Sequence, residues 1–197
     1  AAAVIALPQV LTSWGRLYTQ LRAALPDARY HVGVEVSAIE QDATSVTAHT
    51  SHGAFRGDLL VASDGLRSTV RQQFAPEIQP SYAGYIAWRG VCDEAVLSSR
   101  TRDTLFGRFG FGLPDGEQMI GYPVAGAQHS TRSGERRYNF VWYRSARENT
   151  ELVNLLTDAD GIHYPVGIPP HRVDWRKVHA MRHDAQLILA PQFAEIV

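Results

Sequence analysis

A single cysteine, Cys92, stands in 197 residues. It has no partner for an internal disulfide, which fits a reducing compartment. Charge of neither sign dominates: nineteen Lys and Arg face twenty Asp and Glu, a formal net charge of -1. No field that would gather nucleic acid or an anionic membrane surface follows from that balance. No apolar run approaches the roughly 18–20 residues of a membrane span. The Ala-rich start, Ala1 to Leu7, is short and lacks a basic flank, so a secretory leader is not expected. Together these features lead us to expect a cytoplasmic protein. Several catalytic signatures are also missing: there is no G-x-S-x-G elbow, no Walker A lysine motif and no G-x-G-x-x-G. His179 and His183 are four residues apart, but no Glu follows His179 and no third ligand is evident, so no metal site is expected. The local basic group Arg132, Arg136, Arg137, Arg144 and Arg147 carries no nucleic-acid motif and reads as a solvated face.

What is present is an ordinary globular composition, 45% hydrophobic and 20% charged, long enough to bury a real core. Three zones follow one another. In the first, Trp14, Leu17, Tyr18, Leu21 and Leu25 fall on one face of a helix that Thr12 or Ser13 caps and Pro26 ends. A strand through Val32, Val34, Val36 and Ala38 follows, then strands over 44–51 and 54–62 around a turn at His52-Gly53. The last of these ends in Leu59-Leu60-Val61-Ala62. That continuous apolar run suits a strand covered on both faces, as in a mostly parallel sheet. A helix is expected from Ser68 to Phe74.

The second zone, about 76–146, predicts a meandering antiparallel sheet. Its strands are Tyr82 to Val91, Thr104 to Leu113, Glu117 to Val124 and Arg137 to Tyr143, with a turn at Pro114-Asp115-Gly116. In the last strand Tyr138, Phe140 and Trp142 alternate with Asn139, Val141 and Tyr143. The third zone predicts a short helix around Leu152 to Leu156, a Pro-rich loop, and helix from Val173 onward with a break at Pro191.

The segment from Leu59 to Arg71 carries most of the chemistry. A strand runs into Ser63-Asp64-Gly65, and a helix opens at Ser68. In open α/β sheets ligands bind beyond the carboxyl ends of strands. Asp64 would accept hydrogen bonds from ligand hydroxyls, Gly65 would allow close backbone approach, and the helix start would offer N–H groups to an anion. A plain strand-to-helix turn, in which Asp64 only caps, explains the same residues equally well. In the sheet zone Trp88, Arg89, Tyr122, Phe140, Trp142 and Tyr143 are candidates to line a pocket, although large aromatics on alternating positions more often make core. Arg89 stands apart. A charge inside an apolar strand needs a partner, and it either pairs an acid or meets an anionic ligand.

The strand–Asp64-Gly65–x-x-Ser68–x-Val70-Arg71 segment resembles the second FAD motif of flavin-dependent aromatic monooxygenases (group A flavoproteins), with Ala62 and Ser63 in place of the usual Gly and Ala. Thr12-Ser13-Trp14, the run Tyr82 to Val91, Ile120 to Val124, Asn139 to Tyr143 and Leu189 to Phe193 are similar to the dihydroxypyridine-hydroxylating branch of that family. The resemblance implies a fold of class α/β (α+β): a partial three-layer FAD-binding domain over 1–75, a mainly antiparallel substrate sheet over 76–180, and a return to the FAD domain over 181–197. It implies FAD as cofactor, NAD(P)H and O2 as co-substrates, and a small aromatic or N-heteroaromatic substrate hydroxylated by a C4a-hydroperoxyflavin. Asp64 and Gly65 would then meet the ribitol, Val36 would offer backbone to the adenine, and Ser13 and Arg16 would lie near the cofactor. No residue is singled out as catalytic base.

The family's G-x-G-x-x-G and its later Gly-Asp motif are both missing, so the resemblance implies the central part of a longer flavoprotein, inactive by itself. It leaves room for a homodimer. Two other readings stand beside it. One is another FAD oxidoreductase on the same scaffold, a reductase or a halogenase. The one lysine, Lys177, lies late in the chain and argues against halogenation. The other is a non-catalytic fragment or binding module without flavin.

Overall fold

The computed structural model describes residues 3–197, in two compact units. One comprises the residues up to Gln20 together with Ala83–Val197; the other is Leu21–Tyr82. Helix α1, Trp14–Ala24, runs across the division. It starts as expected: Ser13 Oγ accepts the Arg16 N–H at 3.2 Å. None of its residues is buried.

The smaller unit is a three-stranded antiparallel sheet in the order β1-β2-β3 with helix α2 against it. The strands are β1 Val36–Gln41, β2 Val46–Thr50 and β3 Gly53–Gly57; α2 is Thr69–Phe74. Gly53 takes φ +108 at the β2–β3 turn, a conformation that favours glycine. The Gln73 side chain joins α2 to the free edge of β1. It accepts the Ile39 N–H at 2.9 Å and donates to the Ile39 carbonyl. Two expectations are corrected here. The first strand begins at Val36, and Val32 is left exposed. The apolar run after β3 is not a strand: residues 58–64 are irregular, and Leu59 and Val61 are largely exposed. Both sheets are antiparallel, and among the described residues no strand pairs with this run; hydrophobicity alone does not hold an unpaired backbone in a ladder.

The larger unit holds a four-stranded antiparallel sheet in the order β4-β7-β6-β5. Its strands are β4 Tyr85–Asp93, β5 Gly110–Gly112, β6 Gln118–Val124 and β7 Arg137–Ser145. The β5–β6 turn is Pro114-Asp115-Gly116 as expected, with Gly116 at φ +72. Helix α3, Ser99–Leu105, replaces the start of the strand expected over 104–113. Ser98 caps it by accepting the Thr101 N–H, and Thr101 and Leu105, one turn apart, are its buried positions. A π-type turn over Glu148–Leu152 leads into the short α4, Val153–Leu155. Helices α5, Trp175–Ile188, and α6, Pro191–Ile196, close the chain with the expected break at Pro191.

One face of this sheet is covered. Met119, Tyr138, Phe140 and Trp142 pack with Leu105 of α3, Met181 and Ala185 of α5, and Phe193 of α6. Arg144, at the next covered position of β7, stacks over Trp142 at 4.5 Å. It donates to Glu117 at 2.9 Å and to Asp184 of α5 at 2.7 Å, which ties helix to sheet. The opposite face is open.

Candidate functional site

The Asp64 turn is built from its own sequence. A 3₁₀ turn over Gly65–Arg67 joins the irregular segment to α2, with Gly65 at φ +74. Ser68 caps α2 through its Oγ, which accepts the Arg71 N–H at 2.9 Å. Asp64 Oδ2 accepts the Val70 N–H at 3.3 Å. Hydrogen bonds from Ser68 first, then from backbone N–H groups of this turn, hold the Asp64 carboxyl below its ordinary pKa, so it is an ionised acceptor at neutral pH. Arg71 turns back on the loop and donates to the carbonyls of Gly65 at 3.2 Å and Leu66 at 2.5 Å. A shallow groove of about 470 Å³ runs along this turn, lined by residues from Ala62 to Phe74.

The structure alters one expectation. The N–H groups at the start of α2 are not free for an anion, because Ser68 and Asp64 occupy them. Both Asp64 and Gly65 remain exposed, and no atom lies within 4 Å of the space beside the Gly65 Cα. An ionised carboxylate next to an open glycine fits a polyhydroxylated chain better than a phosphate. Val36, in the same unit, opens the edge strand β1 opposite Thr50, next to a register irregularity between Val36 and Ala38. Ser13 and Arg16 belong to the other unit. The Ser13 hydroxyl is used as the cap of α1, and Arg16 reaches the His129 carbonyl at 3.5 Å.

The six pocket candidates of the sheet divide by strand register. Trp88 faces Trp142 across the β4–β7 pair and, with Phe140, lies on the covered face. Trp142 is inaccessible and Phe140 is 5% exposed, so these rings meet the helices. Arg89, Tyr122 and Tyr143 lie on the open face. There Arg89, Val141, Ile120 and Phe111 form one continuous row across all four strands. Val91, Asn139 and Tyr122 form the row on one side, and Ala87, Tyr143 and Gln118 the row on the other. Two aromatic clusters bracket these rows. Tyr85 meets Tyr143 edge-on at 5.5 Å, and Phe109 contacts both Phe111 at 4.7 Å and Tyr122 at 5.6 Å. Between them the face is aliphatic except for Arg89 and the two amides Asn139 and Gln118.

Sequence reasoning missed Tyr85, Phe109, Phe111, Gln118 and Asn139 as members of this face. For Phe111 and Gln118 the signal is the Pro114-Asp115-Gly116 turn, whereas Tyr85 and Asn139 are placed by the β4–β7 pairing. The turn fixes the β5–β6 register and so sets Phe111 opposite Ile120. Among the described residues no cluster of three or more His, Cys, Asp or Glu could hold a metal ion, and no helix is long and apolar enough to cross a membrane.

A fold that joins this open aromatic sheet to a helical cover belongs to a known class. The chain is a member of the FAD binding domain-like family, whose model matches residues 82–197, the sheet and its helices. Among individual proteins, it is 27% identical over 187 residues to 2,6-dihydroxypyridine 3-monooxygenase of Paenarthrobacter nicotinovorans, a match covering 94% of this chain and 46% of that one. It is 36% identical over 122 residues to aurachin C monooxygenase/isomerase of Stigmatella aurantiaca, covering 61% of this chain and 31% of the relative. The solved structure of 2,6-dihydroxypyridine-3-hydroxylase from Arthrobacter nicotinovorans superposes with a TM-score of 0.75 at 28% identity, over 93% of this chain and 46% of that one. Klebsiella pneumoniae HpxO, solved with FAD and uric acid, shares the fold at 20% identity and a TM-score of 0.58, over 92% of this chain and 38% of that one. The chain thus spans less than half the length of the relatives it matches. The mixed helical and antiparallel architecture expected from the sequence is the one observed.

Proposed function

We propose that the chain is the central part of an FAD-dependent monooxygenase that hydroxylates an electron-rich aromatic or N-heteroaromatic ring. The observation that carries this reading is the Asp64-Gly65 turn: an ionised, exposed carboxylate beside an open glycine, in a chain of an FAD-binding family. Asp64 would hold ribityl hydroxyls as acceptor, Gly65 would let the cofactor chain pass close to the backbone, and the edge of β1 at Val36 would offer backbone groups to the adenine. Bound FAD would supply the redox chemistry, taking two electrons from NAD(P)H and activating O2, with one oxygen atom delivered to the ring and the other leaving as water. The protein's contribution lies in binding and exclusion. The open face of the larger sheet would offer aromatic walls to a flat ring, polar groups to orient it, and an apolar floor for it to lie on. Relatives that carry monooxygenase in their names support the reaction class.

The test is the visible spectrum of the purified chain after incubation with FAD and desalting. The expected result is a retained flavin band that Asp64→Ala abolishes and Asp64→Asn weakens. No band in the wild-type chain sinks the reading for this chain and favours a module without flavin. In a longer protein containing the chain, ring-stimulated NAD(P)H oxidation with a hydroxylated product separates a hydroxylase from a reductase or halogenase.

A further inference from the structure

We propose that Gln73 is a positioning residue of the cofactor site: its side-chain amide fixes the Asp64-Gly65 turn against the edge of β1, so that one ligand can engage both. The inference deepens the FAD reading and rests on it. Three observations carry it, all within the smaller unit. First, the Gln73 amide treats Ile39 as a neighbouring strand would. Its Oε1 accepts the Ile39 N–H at 2.9 Å and its Nε2 donates to the Ile39 carbonyl, across 34 positions of sequence. Ile39 is 2% exposed and β1 is an edge strand, so these two backbone groups have no other strand to pair with and little water. Second, little else holds α2 to the sheet. The helix has six residues, too few to be stable alone, and none of them is buried. Among the described residues no other hydrogen bond joins it to β1, β2 or β3. Third, α2 carries the turn with it. Ser68 accepts the Arg71 N–H, Asp64 accepts the Val70 N–H, and Arg71 donates back to the Gly65 carbonyl. Turn and helix form one braced piece, and Gln73 pins that piece to the strand that also carries Val36.

The physical consequence concerns two-point binding. A ligand held at two points gains over its separate halves only if the points keep their spacing. Asp64 would take hydroxyls of the ribityl chain, and the β1 edge would take the adenine. Gln73 acts on both through the backbone, not by contact with the ligand. The chemistry of the pin is narrow. A primary amide supplies an acceptor and a donor side by side, matching the N–H and carbonyl of one residue. Glutamate keeps the acceptor but sets a carboxylate against the Ile39 carbonyl. Methionine keeps the length and leaves both Ile39 groups covered and unpaired, a larger loss than exposing them to water.

The experiment compares FAD with its two halves, FMN and AMP, by ligand-observed NMR titration of the full chain. The expected result is that Gln73→Met weakens FAD about tenfold while FMN and AMP each change by less than about twofold. Gln73→Glu shows the same selectivity at neutral pH, and Gln73→Ala a milder form of it. Asp64→Ala, in contrast, weakens FAD and FMN and spares AMP. A merely structural role gives a different pattern, because loosening the unit weakens all three ligands by a similar factor. That pattern overturns the inference, as does FAD binding that is unchanged in Gln73→Met. Hydrogen exchange of the Ile39 amide and of residues 64–74, read on the same samples without ligand, tests the pin itself: these amides should exchange faster in Gln73→Met than in the parent chain, and equal rates overturn the inference. No FAD binding by the parent chain sinks the cofactor reading, and the role of Gln73 toward FAD falls with it. FAD bound by the parent and equally by Gln73→Met sinks only this inference.

Discussion

Arg89 and Gly90 are neighbours in β4 that answer to opposite faces of one sheet. Arg89 points into the open face, whereas a Cβ at Gly90 would lie 2.4 Å from the Phe140 ring on the covered face. Gly121 does the same for Tyr138, whose ring would be 2.3 Å from a Cβ there. Burial pushes the Tyr138 phenol well above its ordinary pKa, so it is a packed ring and not a proton carrier near neutrality. Glycine at these positions makes room for large rings, and adding one carbon forces a well-packed core to shift. Gly90→Ala should therefore destabilise the larger unit by about 1–3 kcal/mol. Arg89→Gln, one residue away, should stay within about 0.5 kcal/mol of the parent chain. Urea denaturation of the two variants reads this directly. A reversed order would mean that the faces of β4 are assigned the wrong way round.

At the scale of elements, the two long strands of the sheet are locked at one end by a buried carboxylate. Glu94, just after β4, is 1% exposed. It accepts a fork from Arg136, with Nε at 2.9 Å and a terminal nitrogen at 2.7 Å, and the Gly134 N–H at 2.8 Å, just before β7. The Arg136 hydrogen bonds, and after them the Gly134 N–H, hold its carboxyl below the ordinary glutamate value against the opposing effect of burial. A depressed folded pKa stabilises the native state above the unfolded pKa of about 4.3, and that stabilisation is lost as pH falls through the folded value. Glu94→Gln should thus cost about 2 kcal/mol near neutrality, and the gap between variant and parent should close as pH drops below about 4. A gap that stays constant into acid would show that the ion pair is not what locks the strands. Most of these elements were legible beforehand, and the exceptions have local causes. Strands β4 and β7 and helices α2, α5 and α6 follow from alternation, Ser68 and Pro191. The polar stretch Ser99-Arg100-Thr101-Arg102 hid α3, because it lacks an apolar period and its buried pair Thr101 and Leu105 includes a threonine. The run Leu59 to Ala62 misled in the other direction: hydrophobicity suggested a strand, but a strand needs a partner, and among the described residues no strand pairs with it. For the site, residue types were legible but faces were not. Trp88 and Arg89 are adjacent in sequence, and only cross-strand register assigns one to the core and the other to the open face.

For the molecule as a whole, the two units differ in how much apolar surface they bury. The contiguous core, from Leu97 to Ile196, lies entirely in the larger unit, whereas the buried apolar residues of the smaller one are Ile39 and Val46. Local stability follows burial, so the units should open with different free energies. Hydrogen exchange should be slowest in β6, β7 and α5. It should be much faster in β1–β3 and fastest over residues 58–64, where the backbone has no ladder. A ligand that binds only the folded form adds stability to the unit that holds it, about 2.7 kcal/mol at a hundredfold excess over Kd, which slows exchange through that opening about a hundredfold. FAD should therefore protect the Asp64 segment and the β1 edge. An aromatic ring such as 3-hydroxybenzoate should protect β4, β6 and β7, whose open face would receive it. Exchange mass spectrometry with each ligand separately tests both assignments in one chain. Protection by FAD confined to the larger unit would move the cofactor's anchor away from Asp64. Protection by the ring confined to the smaller unit would move the ring's site away from the open sheet face.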